Sequence, residues 1–98
     1  MNYKDLEIWK TANELVVEIH KMSLSDIPKF EMFEEGKQIR KSIKSVKSNI
    51  TEGFGRRKYK LDYLHFLNMA QASNDETIDH LETLFRTGSL LDSRKFEY

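Results

Sequence analysis

Apolar residues recur every three or four positions along the first quarter of the chain. They form the series Ile8, Trp9, Ala12, Leu15, Val16, Ile19 and Met22. At about 100° per residue this series covers one face of a helix, and charged residues cover the opposite face. The pattern predicts a first helix from about Asp5 to Met22, with Asp5 at the N-cap or in the first turn. Residues 23–28 predict a loop, because Ser and Asp favour turns and Pro28 disfavours helix at the preceding residue.

A second apolar series has spacings of four, three and four residues, as in the seam of a helical bundle. It consists of Ile39, Ile43, Val46 and Ile50. The series predicts a second helix from about Glu31 to Glu52, whose first turn or two Gly36 disfavours. Gly53 and Gly55 are predicted to break it. A strip of small and polar residues beside the seam allows another helix to approach closely; it consists of Ser42, Ser45, Asn49 and Glu52.

A third helix is predicted from about Tyr59 to Thr87, with Gly88 as the residue that follows its C-cap. Its main stripe is small and polar in the middle and apolar at both ends; it consists of Tyr59, Tyr63, Phe66, Leu67, Ala70, Ser73, Asn74, Thr77, Leu81, Leu84 and Phe85. A second, weaker stripe consists of Leu61, Leu64 and Ala72. A helix that is apolar on two sides needs two sets of neighbours, and we expect another subunit to supply one of them. Asp92 and Ser93 resemble an N-cap, so residues 94–98 are predicted to form the first turn of a fourth helix, which is too short to be stable alone.

These elements predict an all-α fold: an up-down antiparallel helical bundle with three helices and a truncated fourth, in a single domain of residues 1–98. The composition agrees, because 98 residues with one Pro and four Gly offer few turns for an all-β fold. The absence of Cys excludes disulfide scaffolds and thiol nucleophiles. No apolar run approaches the ~20 residues of a membrane span, and the N-terminus does not resemble a signal peptide. We therefore expect a cytoplasmic protein without a membrane partner.

The formal net charge is zero, but the charge is segregated along the chain. Residues 1–36 and 61–98 each carry −4, whereas residues 37–60 carry nine basic residues and the single acid Glu52. Five of the nine cations centre roughly opposite the apolar seam of the second helix, and four follow it; they are Lys37, Arg40, Lys41, Lys44, Lys47, Arg56, Arg57, Lys58 and Lys60. Such a concentration predicts a nucleic-acid-binding face. The alternative is a solvated face whose charge the acidic helices neutralise.

Catalytic and metal-binding patterns are weak. His65 and His80 lie about 22 Å apart along one helix and cannot share a metal ion within one chain. There is no Gly-x-Ser-x-Gly nucleophile motif, and the glycines at 53 and 55 lack the Gly-Lys-Ser/Thr ending of a phosphate loop. For Glu52, an ion pair with Arg40, Arg56 or Lys44 is favoured over a role as a general base, and Glu76 is expected to bond His80. We therefore expect no enzyme, no cofactor, no metal and no small-molecule substrate.

One segment is similar to the signature of a known family. It contains Ser48, Asn49, Ile50, Thr51, Glu52, Gly53, Phe54, Gly55 and Arg56. The segment resembles Ser-Asn-Ile-Ala-Glu-Gly-Phe-Gly-Arg of the bacterial four helix bundle proteins encoded in intervening sequences of large-subunit rRNA genes, and it differs only at Thr51. The first helix, with Trp9 and Ala12, and the third, with Tyr63 and Phe66, also resemble that family.

The resemblance implies an up-down bundle that assembles as a homo-oligomer, typically a pentamer, and nucleic acid is the usual suggestion for its ligand. This sequence departs from the family in two ways. Lys47 stands where a proline often precedes the Ser-Asn pair, and the fourth helix is almost wholly absent. A groove along the first and third helices would then need a neighbouring subunit to cover it.

Two functions follow from these observations. The first is a non-catalytic oligomer that binds structured RNA, or DNA, through phosphate contacts of the basic face, with little reading of base sequence. The second is a structural or adaptor protein that binds another protein through exposed helix faces and binds no nucleic acid.

Overall fold

The structure is a computed structural model that describes residues 1–91. A 3-10 turn at Tyr3–Asp5 precedes four helices: α1 (Glu7–Ser25), α2 (Lys29–Met32), α3 (Glu35–Gly55) and α4 (Lys60–Arg86). No strand occurs among these residues. The all-α prediction is therefore confirmed, whereas the predicted start of a fourth helix at 92–98 lies outside the described residues.

The predicted second helix is in fact two helices, and the sequence boundaries near it were wrong. The chain leaves the helical conformation at Glu34, between α2 and α3. A Cβ atom at Gly36 would lie 2.8 Å from the carbonyl oxygen of Glu31, so only glycine lets α2 fold back this closely on α3. The predicted loop at 23–28 is also shorter, because Ser23 and Ser25 continue α1 and donate their hydroxyls to backbone carbonyls of its last turns.

Helix α3 lies at the centre of the bundle. Both α1 and α4 pack on α3 rather than on each other. The whole predicted seam of α3 is buried, and it meets Ile19 and Met22 of α1 on one side and Ala70 and Leu84 of α4 on the other. Burial of aliphatic side chains such as these stabilises a fold by about 1.5–3 kcal/mol each. The central helix thus has two packed sides and one side left for solvent.

The contact between α3 and α4 is made by small polar side chains. The hydroxyls of Ser42 and Thr77 lie 2.8 Å apart, and those of Ser45 and Ser73 lie 2.9 Å apart. The amide of Asn49 donates to the Ser45 carbonyl at 2.8 Å. Within residues 1–91 every buried side-chain polar atom has a hydrogen-bond partner. The polar strip therefore does allow close approach, and its partner is α4 of the same chain.

Glycine keeps the last turn of α3 close to α4. The prediction that Gly53 breaks the helix was wrong, since α3 continues to Gly55 and the turn to α4 begins at Arg56. A Cβ atom at Gly53 would lie 3.2 Å from Cβ of Phe66, whereas one at Gly55 would meet nothing within 4 Å. Gly88, with φ of +78°, follows the C-cap of α4 as predicted.

An open apolar groove runs between α1 and α4, above α3. It contains two clefts of about 360 and 540 Å³. Their apolar walls include Ile8, Leu15, Leu67, Ile78 and Phe85. Ile8 belongs to the apolar series of α1 but is 59% exposed. No helix within residues 1–91 has the length and apolarity needed to cross a membrane.

The two glycines of the last α3 turn form a matched pair for testing the contact with α4. We expect Gly53→Leu to lower the free energy of unfolding by about 1–3 kcal/mol, because the new side chain meets a Cβ atom fixed to the backbone of α4. We expect Gly55→Leu to change it by less than about 1 kcal/mol, since its side chain enters open space. Urea unfolding followed by circular dichroism measures both. Equal losses of stability would contradict this account of Gly53.

Candidate nucleic-acid interface

Three of the nine predicted cations project from α3 into solvent. Lys37, Lys41 and Lys44 lie on the side of the helix that packs against neither α1 nor α4, and all three are exposed. No ion pair within residues 1–91 joins any of them to a carboxylate. Their successive positions span about two helical turns, or ~10 Å. They therefore form an exposed row of positive charge.

Arg40 does not belong to this row. Its side chain turns towards α1 and α2, where Nη1 donates to the Ser23 hydroxyl of α1 and Nη2 to the Met32 carbonyl of α2, both at 2.9 Å. The prediction of an outward orientation was therefore wrong for Arg40. The reason is that its position on α3 borders the side that packs on α1, and a guanidinium can satisfy two acceptors there at once.

Lys47 also turns towards α1. Its Nζ donates to Oδ1 of Asn13 at 2.8 Å and lies 5.3 Å from the centre of the Trp9 ring. The same indole donates its N–H to the Thr51 hydroxyl at 3.1 Å. Lys47 is thus held by a hydrogen bond and a cation–π contact, and it adds positive potential at the edge of the exposed row.

The turn between α3 and α4 presents the other four cations. The Arg57 guanidinium lies 4.1 Å from the Phe54 ring centre and donates to the Phe54 carbonyl at 2.9 Å. The Arg56 guanidinium lies 4.9 Å from the Phe66 ring centre, and its Nη2 is 3.6 Å from a carboxylate oxygen of Glu52. The last contact confirms an ion pair for Glu52. Aromatic rings thus hold both arginines while their side chains stay exposed.

We call the exposed cations together the basic surface; it consists of Lys37, Lys41, Lys44, Arg56, Arg57, Lys58 and Lys60. Its only ion pair within residues 1–91 is the one between Arg56 and Glu52. None of the other ion pairs in that range joins the acids of α1 or α4 to it. Seven cations therefore face solvent with one neutralising partner on the surface itself, an arrangement that attracts polyanions.

Two shallow clefts lie beside the basic surface and share a wall. One is lined by Val16, Lys44, Lys47, Ser48, Thr51 and Glu52. The other is lined by Tyr3, Thr51, Glu52, Gly55 and Arg56. Thr51 and Glu52 line both, so the two clefts lie next to each other. The sequence pattern gave no sign of Tyr3, because only the folding of the N-terminal turn onto the end of α3 brings it to this place.

The residues that resemble the family signature divide into two groups in the structure. Asn49, Ile50, Gly53 and Phe54 are buried and hold α3 in the bundle. Ser48, Glu52, Gly55 and Arg56 are exposed and line the two clefts. Half of the signature therefore serves packing, and half lies where a ligand has access.

His80 lies apart from this surface and joins α4 to α3. Its Nε2 lies 3.4 Å from Glu76, as expected from their spacing. Its Nδ1 lies 2.7 Å from Glu35, a contact that no local pattern indicates. Within residues 1–91 no three side chains of His, Asp or Glu are grouped so as to hold a metal ion.

Comparison with known proteins gives one result. No curated protein and no solved structure matches the chain. A family model described as 23S rRNA-intervening sequence protein matches residues 4–97. That match spans nearly the whole chain and agrees with the resemblance seen in residues 48–56. The chain therefore belongs to the family of 23S rRNA-intervening sequence proteins.

Proposed function

We propose that this protein binds structured RNA without catalysing a reaction, and that it does so through the phosphate contacts of the basic surface. The observation that carries the proposal is the exposed row Lys37, Lys41 and Lys44, which has no carboxylate partner within residues 1–91. The cations of the interhelical turn extend this row towards the end of the bundle. A family named for a 23S rRNA intervening sequence makes RNA the ligand to test first, ahead of DNA.

The chemistry of the row fits phosphate better than base edges. Lysine ammonium groups are flexible point charges that bind phosphate from many directions. Base-edge recognition commonly uses Asn, Gln or bidentate Arg, and no Asn or Gln belongs to the basic surface. We therefore infer binding with strong salt dependence and weak sequence preference along α3. RNA of this kind is met in the cytoplasm, where we place the protein.

Charge removal on α3 tests this function. We expect the triple variant Lys37→Gln, Lys41→Gln, Lys44→Gln to bind a structured rRNA fragment more weakly, with a log–log salt slope shallower by about 2–3. Fluorescence anisotropy at several salt concentrations measures both quantities. The matched control replaces Lys10, Lys21 and Lys29 by Gln, which removes the same charge from another part of the chain. A wild-type affinity that does not change with salt would refute the proposal, as would equal effects of the two triple variants.

A second candidate function is supported by the groove between α1 and α4. Its apolar walls are open to solvent within residues 1–91, and Ile8 and Ile78 in these walls are 59% and 54% exposed. Contiguous exposed apolar surface of this kind usually marks a protein-binding site. We propose that the groove takes an apolar helix face of another copy of this chain, and that the resulting homo-oligomer is a pentamer, as the family resemblance implies. An adaptor that binds a different protein is the alternative use of the same groove.

Assembly through the groove has its own test. We expect Ile78→Lys, which places a charge in the groove wall, to lower the oligomer mass measured by light scattering at several protein concentrations. Val17→Lys is the control, because Val17 is exposed on the side of α1 opposite its apolar series. Circular dichroism should show unchanged helicity in both variants. An oligomer that both variants leave intact would exclude the groove as its interface.

A further inference from the structure

We call the shallow cleft at the end of α3 the end cleft. It is open to solvent and has a volume of about 480 Å³. Its walls are an aromatic ring, a guanidinium, a carboxylate, a hydroxyl and a glycine, from Tyr3, Arg56, Glu52, Thr51 and Gly55. Two parts of the chain that are distant in sequence contribute, the N-terminal turn and the end of α3, so folding creates the site.

Local contacts hold Tyr3 in place at the cleft. The 3-10 turn is closed by a capping box, in which Asn2 accepts from the Lys4 backbone N–H at 3.0 Å and Asp5 accepts from that of Asn2 at 2.9 Å. The Tyr3 ring meets the Trp9 ring edge-on, with centres 5.5 Å apart. Trp9 is itself bonded to Thr51. Trp9 therefore connects Tyr3 on one side of the cleft with Thr51 on α3.

Contacts also hold Arg56 and Glu52, which line the cleft on the α3 side. The Arg56 guanidinium rests near the Phe66 ring, and Glu52 lies one helical turn before it on α3. A Cβ atom at Gly55 would meet nothing within 4 Å, so the fold does not require glycine at this position. The absence of a side chain there leaves the middle of the cleft open. A larger side chain at this position would occupy the cleft.

This set of groups suits a nucleobase better than a phosphate. A carboxylate repels phosphate, but it accepts a hydrogen bond from the exocyclic amino group of a base such as cytosine. Aromatic rings and guanidinium planes are the surfaces on which unpaired bases stack. The neighbouring cleft is lined by Lys44 and Lys47, whose charges suit the adjoining phosphates of the same strand.

We propose that the end cleft binds one unpaired base carrying an exocyclic amino group, in a single-stranded segment of the RNA. This inference rests on the proposed function, because the basic surface supplies the attraction for the strand. Stacking on Tyr3 and Arg56 gives affinity, and Glu52 distinguishes cytosine from uracil. The protein then reads an unpaired nucleotide at the end of the bundle and phosphates along α3.

The experiment compares RNA with and without bases. A short cytidine-only RNA and a strand of equal length made of abasic nucleotides carry the same phosphates. Binding of the full chain is followed by anisotropy of the labelled strand and by fluorescence of Trp9, the single tryptophan, which contacts two walls of the cleft. We expect the cytidine strand to bind about tenfold more tightly than the abasic strand and to change Trp9 fluorescence.

Two variants locate the effect. Gly55→Leu fills the cleft, so we expect it to abolish the preference for the cytidine strand while leaving the affinity for the abasic strand unchanged. Glu52→Gln replaces an acceptor by a group that also donates, so we expect the preference for a cytidine strand over a uridine strand to fall several-fold. Tyr3→Phe keeps the ring and should retain the preference, whereas Tyr3→Ala should lose it.

The outcomes separate the two proposals. Equal affinity for the cytidine and abasic strands, with a steep salt dependence for both, would overturn the base site and leave phosphate binding in place. Failure of both strands to bind at low salt, while a structured rRNA fragment binds, would also overturn the base site; failure of the structured rRNA fragment as well would overturn the proposed function. A preference for cytidine that survives Gly55→Leu would also overturn the end cleft as the site.

Discussion

The close packing of α3 on α4 is the constraint on which the rest of the structure depends. Paired hydroxyls from the two helices meet at 2.8 and 2.9 Å, and Gly53 leaves Phe66 room at the end of the contact. Hydrogen bonds between buried hydroxyls contribute only about 1 kcal/mol each, but they fix which sides of the two helices meet. An apolar interface of similar area would allow the helices to slide or rotate more freely, whereas here such a movement breaks both hydrogen bonds between the helices.

Because α4 packs on the polar side of α3 and α1 on the adjoining side, this packing determines which cations of α3 contact the bundle and which face solvent. Arg40 and Lys47 lie at the border with α1, where they donate hydrogen bonds to Ser23 and Asn13. Lys37, Lys41 and Lys44 lie on the remaining side and stay exposed. The cations of α3 therefore fall into two groups of identical charge. Those close to the contact with α1 stabilise the bundle, and those farther from it are available to a ligand.

The sequence predicted the helical class, the buried seam of α3 and the polar strip correctly, because each depends on the helical period within one segment. Periodicity could not reveal that Gly36 brings α2 back against α3, since that requires the position of the Glu31 carbonyl. It could not place Tyr3 beside Arg56 either, as the two are far apart in sequence and come together only when the N-terminal turn packs on α3. The candidate site was thus predictable as a charged surface but not as a cleft.

The arrangement of the helices explains how the charge segregation along the sequence becomes a separation of charge in space. Had the acids of α1 and α4 crossed to the exposed side of α3, a neutral chain would have had a neutral surface. Within residues 1–91 the described ion pairs instead join Glu7 to Lys10 within α1 and Glu52 to Arg56 at the end of α3, while His80 contacts Glu35 and Glu76. Within residues 1–91, no ion pair joins an acid of α1 or α4 to Lys37, Lys41 or Lys44, which lie on the side of α3 that packs on neither helix. A chain with zero net charge can thus present a field of one sign, since the geometry of three helices separates its charges in space as its sequence separates them along the chain.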